Sequence, residues 1–332
     1  MRTSTSPHGG HGADGLTVDW SPDGRWLACG SRAVGVRIVD LALPPPIRQV
    51  QASHGSLQSN ARVAWHAHDR TLSVSLGNQT HLLDPDTGLV SISTPGTSMS
   101  WSPDGTRRSW YEGDSVVIAS NDGSVARQAF PPLQNSRKGS VRISWNASSD
   151  AMLVHLESQV WLWTLGSAAR DLGPMCEAAG IVVFSPVGAL ACMISRTSLR
   201  VFEPQTGKVF VSKEVPDGVH AIAWSADGRR IATLTNRPIV TLRDAATLEV
   251  IRELHGLEMV PSDVAWQPDD QRIAAAAHGG VCLWDPDTGV LTARLTERDR
   301  MDGVQFSPNG HELAVMCFGG EVLIYDTRLG RQ

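Results

Sequence analysis

Trp20-Ser21-Pro22-Asp23-Gly24 decides the fold, because it returns with wear along the whole chain. Copies start at Trp20, Trp65, Trp101, Trp145, Phe184, Trp224, Trp266 and Phe306, 36 to 45 residues apart. Each copy closes a short apolar run with an aromatic residue and then turns. In the turn, proline presets φ at the second position, aspartate suits the third, and glycine takes the fourth. The same chemistry stands at Ser102–Gly105, Ser225–Gly228 and Ser307–Gly310. A period of about 41 residues with this signature is that of a radial array of four-stranded β blades.

Working outward, every unit repeats one plan. A first strand ends in the aromatic, a second follows the turn, and a short loop, a third strand, another turn and a fourth strand complete it. The cleanest unit reads Asp263–Trp266, Gln271–Ala277, Val281–Asp285 and Val290–Thr296. These runs are short, rich in Val, Ile, Leu and aromatics, and bounded by Gly, Pro, Asn and Asp. Units fall near 15–52, 61–94, 98–130, 141–173, 181–215, 221–254, 263–296 and 303–332. The expected fold class is therefore all-β: a single eight-bladed β-propeller of four-stranded antiparallel blades spanning 15–332, with seven blades as the alternative count. The aromatic closing each first strand is expected to pack between neighbouring blades, where a large ring buries about 150–250 Å².

The repeat length, the Ser-Pro-Asp-Gly turn and the ending Leu283-Trp284-Asp285 resemble the WD-repeat β-propeller family over nearly the whole chain. Trp163 and Trp284 stand at that family's third-strand tryptophan position, and no unit holds its complete His, Ser/Thr, Asp and Trp network. Packing is therefore expected to do more of the work of holding the blades together. His11 stands nine residues before Trp20, at the family's Gly-His to strand-end spacing. The eighth unit has little chain left for a fourth strand. Residues 1–14, with Arg2–Ser6, are expected to supply it and so remove an open sheet edge.

Composition bounds the role. A net charge of −5 and a pI near 6.1 argue against a generic phosphate-backbone binder. Basic residues are 26 Arg and 3 Lys, which reads as genome composition. No apolar run reaches the length of a membrane span; Ile181–Met193 is short and interrupted by Pro186. The N-terminal stretch has no apolar segment of a secretory signal. Cys29, Cys176, Cys192, Cys282 and Cys317 form no CxxC pair and read as reduced thiols, so a cytoplasmic location is expected.

No phosphate-cradling loop, nucleophile elbow, HExxH helix or paired-cysteine zinc pattern occurs in the chain. No cofactor, no metal and no catalytic residue are expected. His66-Ala67-His68 reads as a solvated turn, not a ligand pair. Asp84-Pro85-Asp86-Thr87-Gly88 and its copy Asp285–Gly289 lack the downstream glutamate of a calcium loop and read as structural turns.

The second-to-third strand loops and the blade-to-blade loops open on one face. Candidate partner-binding residues there are Arg32, Asn78, Glu112, Asp114, Glu157, Arg196, Asn236, Arg237, His278 and Phe318. Trp110 and Tyr111 join them, from the atypically polar run Arg107–Glu112, because Tyr, Trp and Arg are enriched among interface anchors. The expected function is a non-catalytic scaffold that docks a partner protein or peptide on this face, with membrane and nucleic acid not expected as partners. Two alternatives stand: a sensor module binding a small ligand at the channel or top face, and a hydrolase-type enzyme using Glu112, Glu157, His155 and His278.

Overall fold

The computed structural model describes residues 17–31, 35–41, 47–50, 62–66, 71–76, 79–84, 90–130, 141–156, 159–173, 181–188, 190–195, 197–317 and 322–328. Among them every regular element is a strand. The chain divides into two compact units, Asp14–Met175 and Cys176–Gln332, each built from four successive blades of the β-propeller type.

In the first unit the blades open with Thr17–Trp20, Arg62–Trp65, Thr97–Trp101 and Val141–Trp145. Each belongs to a four-stranded sheet whose strands lie in chain order. In the second unit the fifth and sixth blades open with Ile181–Phe184 and Ala221–Trp224. The seventh and eighth blades share one sheet, through Pro261–Trp266, Ile273–Trp284, Leu291–Phe306, Glu312–Cys317 and Val322–Asp326. Ile273–Trp284 spans two strand positions of the plan. They lie either side of Gly279 and Gly280, whose φ values of 97° and 140° suit glycine alone. The eighth blade shows three strands among the described residues. Its expected fourth, from residues 1–14, lies outside them.

All pairings are antiparallel. In the sixth blade Ala221 faces Leu234, Arg230 faces Asp244, and Val240 faces Leu254. Four blades carry the same irregularity. The register slips between Leu82 and Leu83, Val201 and Phe202, Leu242 and Arg243, and Leu283 and Trp284. The extra residue sits on the fourth strand each time: Ser91, Phe210, Ile251 or Thr292. Such a β-bulge kinks the outer strand and re-aims its side chains.

The core lies between blades, as sheets covered on both faces require. Trp26, Ile38, Trp65 and Leu72 fill the first junction, and Tyr111, Ile118, Trp145 and Met152 the third. In the second unit Val201, Trp224 and Ile231 pack together, as do Leu242, Trp266 and Trp284. The closing aromatic adds a hydrogen bond to this packing. The indole N–H groups of Trp101 and Trp145 reach Ser73 Oγ (3.3 Å) and Ser109 Oγ (3.0 Å) of the preceding blade. Those of Trp65 and Trp266 reach the carbonyls of Asp19 (2.9 Å) and Ala223 (3.1 Å). Carboxylates cross junctions in the other direction. Asp19 Oδ2 accepts from Trp65 N at 2.7 Å, and Asp263 Oδ2 from Val304 N at 3.1 Å. Specific polar staples thus share the task with packing.

The hairpin turns explain their sequence. The serine side chain accepts from the backbone five residues on, at Ser21–Trp26 (2.8 Å), Ser102–Arg107 (3.0 Å) and Ser225–Arg230 (2.9 Å). The glycine takes a positive φ, 71° at Gly24 and 69° at Gly228. At four departures from this pattern the substituted residue contacts a neighbouring blade. His66 and Gln267 replace the serine. Their Nε2 atoms lie 2.6 Å from Gly105 O and 2.8 Å from Gly310 O, in the turns of the next blades. Ser149 and Asp270 replace the glycine at φ of 60° and 61°. Ser149 Oγ accepts from Asp104 N (3.0 Å), and Asp270 accepts from Ala226 N (2.7 Å) and Asp227 N (3.0 Å), in the preceding blades.

Candidate functional site

Antiparallel order places the second-to-third strand loops and the blade-to-blade loops at the same end of each unit. In the first unit this end carries Glu112 and Asp114. In the second it carries Asn236, Arg237 and His278, all exposed. Arg32, Asn78, Glu157, Arg196 and Phe318 lie outside the described residues.

Trp110 and Tyr111 do not serve as exposed anchors: they are 6% and 7% exposed. The polar run Arg107–Glu112 forms an ordinary second strand. Its rings turn inward, Trp110 against Trp101 and Leu82, Tyr111 against Trp145 and Val116. Gly96, at φ 127°, leaves the space that Trp110 fills; a Cβ there would collide with the indole. The indole N–H donates to Glu112 Oε2 at 3.3 Å, and the same oxygen takes Arg127 Nη2 at 3.1 Å. Glu112 is thus a positioned carboxylate at the loop entrance. Asp114 accepts from Ser115 Oγ at 2.8 Å.

In the second unit Asn236 Nδ2 donates to Asp217 O (3.1 Å), tying a strand loop to the adjacent blade-to-blade loop. Arg237 pairs with Glu253 at 3.4 Å. The loop from His255 to Val260 is held at its base. Trp284 Nε1 donates to His255 O (2.8 Å), Arg294 donates to Gly256 O, and Arg294 pairs with Glu258 (2.6 Å). Its tip is bare: Met259 is 53% and Val260 43% exposed. The successive apolar residues Met259 and Val260 in a blade-to-blade loop are the sequence signal for it.

His66 is buried and edge-on to Trp101, with ring centroids 4.4 Å apart, so it is no solvated turn residue; His68 lies outside the described residues. Asp285 Oδ1 accepts from Asp287 N (2.8 Å) and Thr288 N (2.9 Å), which turns the chain and lowers its pKa. That is a structural turn; of the copy at Asp84–Gly88, only Asp84 is described. His155 is buried near the loop end of the strand Ala151–Leu156, so its ring is not offered to solvent there. Among the described residues no group of three His, Cys, Asp or Glu side chains could hold a metal ion. Cys29, Cys192, Cys282 and Cys317 are buried, and burial raises the Cys192 thiol pKa far above its usual value. No helix among the described residues is long and apolar enough to cross a membrane.

The family model described as "WD domain, G-beta repeat" matches residues 3–32 and 249–285. No curated protein matches the chain. Among solved structures 1678 chains match, so the fold is common and carries no particular role. One is the crystal structure of the computationally designed Ika8 protein, 14% identical, with a TM-score of 0.73 over 96% of this chain and 98% of that one. Identity so low shows the fold alone. WD-repeat propellers are commonly protein-interaction scaffolds and are typically non-catalytic. The matched segments, the recurring turn and eight blades of this build support a WD-repeat β-propeller.

Proposed function

We propose that the chain is a non-catalytic, cytoplasmic scaffold that docks a partner protein or peptide on its loop-bearing end. The buried thiols of Cys192 and Cys282, which form no disulfide, support a reducing compartment. The observation that carries the docking role is the loop at His255–Val260. Its base is fastened by Trp284 and Arg294, while Met259 and Val260 stand exposed at its tip. A held loop loses less conformational freedom on binding than a free one. Methionine is enriched at interfaces, and an apolar centre with a polar rim is their usual build. Asn236, Arg237 and His278 supply that rim in the second unit; Glu112 and Asp114 offer polar contacts at the same end of the first.

The test is comparative capture from the native host with crosslinking and mass spectrometry. The wild-type chain is set against M259D/V260D, with circular dichroism confirming equal folding. A partner crosslinked near residues 255–260 and lost in the variant supports the proposal. An unchanged captured set removes it. Charge reversal at Arg237 is expected to weaken the same partner.

A further inference from the structure

The fourth strand of the fifth blade, Lys208–Glu214, is the outer edge of its sheet and at seven residues the longest fourth strand that stands alone as an element. An exposed edge offers unpaired N–H and C=O groups to another strand. Here it also shows apolar side chains, with Val209 40% and Phe210 51% exposed. The bulge sits at Phe210, and Lys208 Nζ lies 5.1 Å over its ring. The apolar strip continues onto the sixth blade at Val250 and Ile251, across the Lys213–Glu249 ion pair of 2.7 Å. Lys208 and Glu214 make no ion pair among the described residues.

The order of residues on this edge is self-complementary. Take two copies paired antiparallel about a two-fold axis through Val211. Lys208 then faces the other copy's Glu214, and Glu214 faces its Lys208. Val209 faces Lys213, and the two Phe210 rings become diagonal neighbours, within reach of each other. The same axis through two other fourth strands fails. Centred on Val125–Ala129 it sets Arg127 against Arg127, and centred on Val250–Leu254 it sets Arg252 against Arg252. Like charges directly opposite destabilise a strand pair. We propose that the Lys208–Glu214 edge docks a second copy of this chain, strand to strand, in an isologous dimer. The surface is separate from the loop-bearing end and is independent of the partner docked there.

Charge swapping tests it. Sedimentation equilibrium of the full chain at low salt is expected to show a reversible dimer. K208E sets like charges opposite at both symmetry-related positions and is expected to weaken it about tenfold. E214K is expected to do the same. The double variant K208E/E214K exchanges the charges and is expected to restore wild-type association to within about threefold. All three changes are on exposed side chains, and thermal melts check that each variant folds. A monomer at every concentration overturns the proposal, as does a dimer indifferent to K208E.

Discussion

Asp263 is fully buried at the junction of the seventh and eighth blades, and replacing it with asparagine is expected to change how stability depends on pH. Its carboxylate accepts from Val264 N (2.9 Å) and, across the junction, from Val304 N (3.1 Å). Desolvation outweighs these two bonds and raises its pKa from 3.8 to about 7. Asp302, 1% exposed, precedes Gly303 on the adjoining strand, and Gly303 faces the Asp263 carboxylate. The folded chain therefore holds the Asp263 proton more tightly than the unfolded chain. The stability this confers is fully present below pH 3.8, declines as pH rises, and is gone above about pH 7. Integrated between pH 5 and pH 8, the loss is about 2.6 kcal/mol. The amide introduced by Asp263→Asn cannot titrate. It retains one acceptor oxygen for the two N–H groups, and that cost does not vary with pH. Urea denaturation of both proteins at pH 5 and pH 8 isolates the effect as a double difference. The wild type is expected to lose about 2.6 kcal/mol more than the variant on going to pH 8. A double difference below about 0.5 kcal/mol, within the error of such measurements, refutes the reasoning.

Trp266→Phe removes the 3.1 Å bond to Ala223 O while keeping an aromatic ring at the junction, and is expected to cost about 1–2 kcal/mol by the same denaturation assay. Trp266→Ala is expected to cost about 3–5 kcal/mol, because the ring's volume is lost as well. Gly228→Ala places a Cβ at φ 69° against Val187 and Ser185, and is expected to lower stability by more than about 1 kcal/mol. Asp270→Gly returns the turn to its majority residue and relieves a positive φ, yet forfeits the bonds to Ala226 N and Asp227 N. Thermal melts are expected to show a net loss of about 1–2 kcal/mol.

Local chemistry made the architecture legible. Proline, aspartate and glycine announce the Ser21–Gly24 turn, and the aromatic before it announces a strand end; neither signal needs a distant partner. Junction contacts are different. The acceptors of Trp145 and Gln267 stand 36 and 43 residues away, so nothing beside these residues in the sequence names them. Trp110 and Tyr111 misled for a related reason. The charges of Arg107, Arg108 and Glu112 suggested a surface strand, whereas the buried face is decided by Gly96 and the flanking blades. The loop-bearing end was legible as topology. Its exposed apolar tip at Met259 and Val260 was not, because exposure depends on which side chains the loop's own anchors turn outward.

Gln267 points forward to Gly310, whereas Asp270, in the same turn, reaches backward to Ala226 and Asp227. Both partners are backbone groups of the flanking turns, and His66 and Ser149 reach the equivalent carbonyl and N–H from the second and fourth copies. The seventh copy joins in one turn the two contacts that those copies make singly, so a disturbance of that turn loosens two junctions at once.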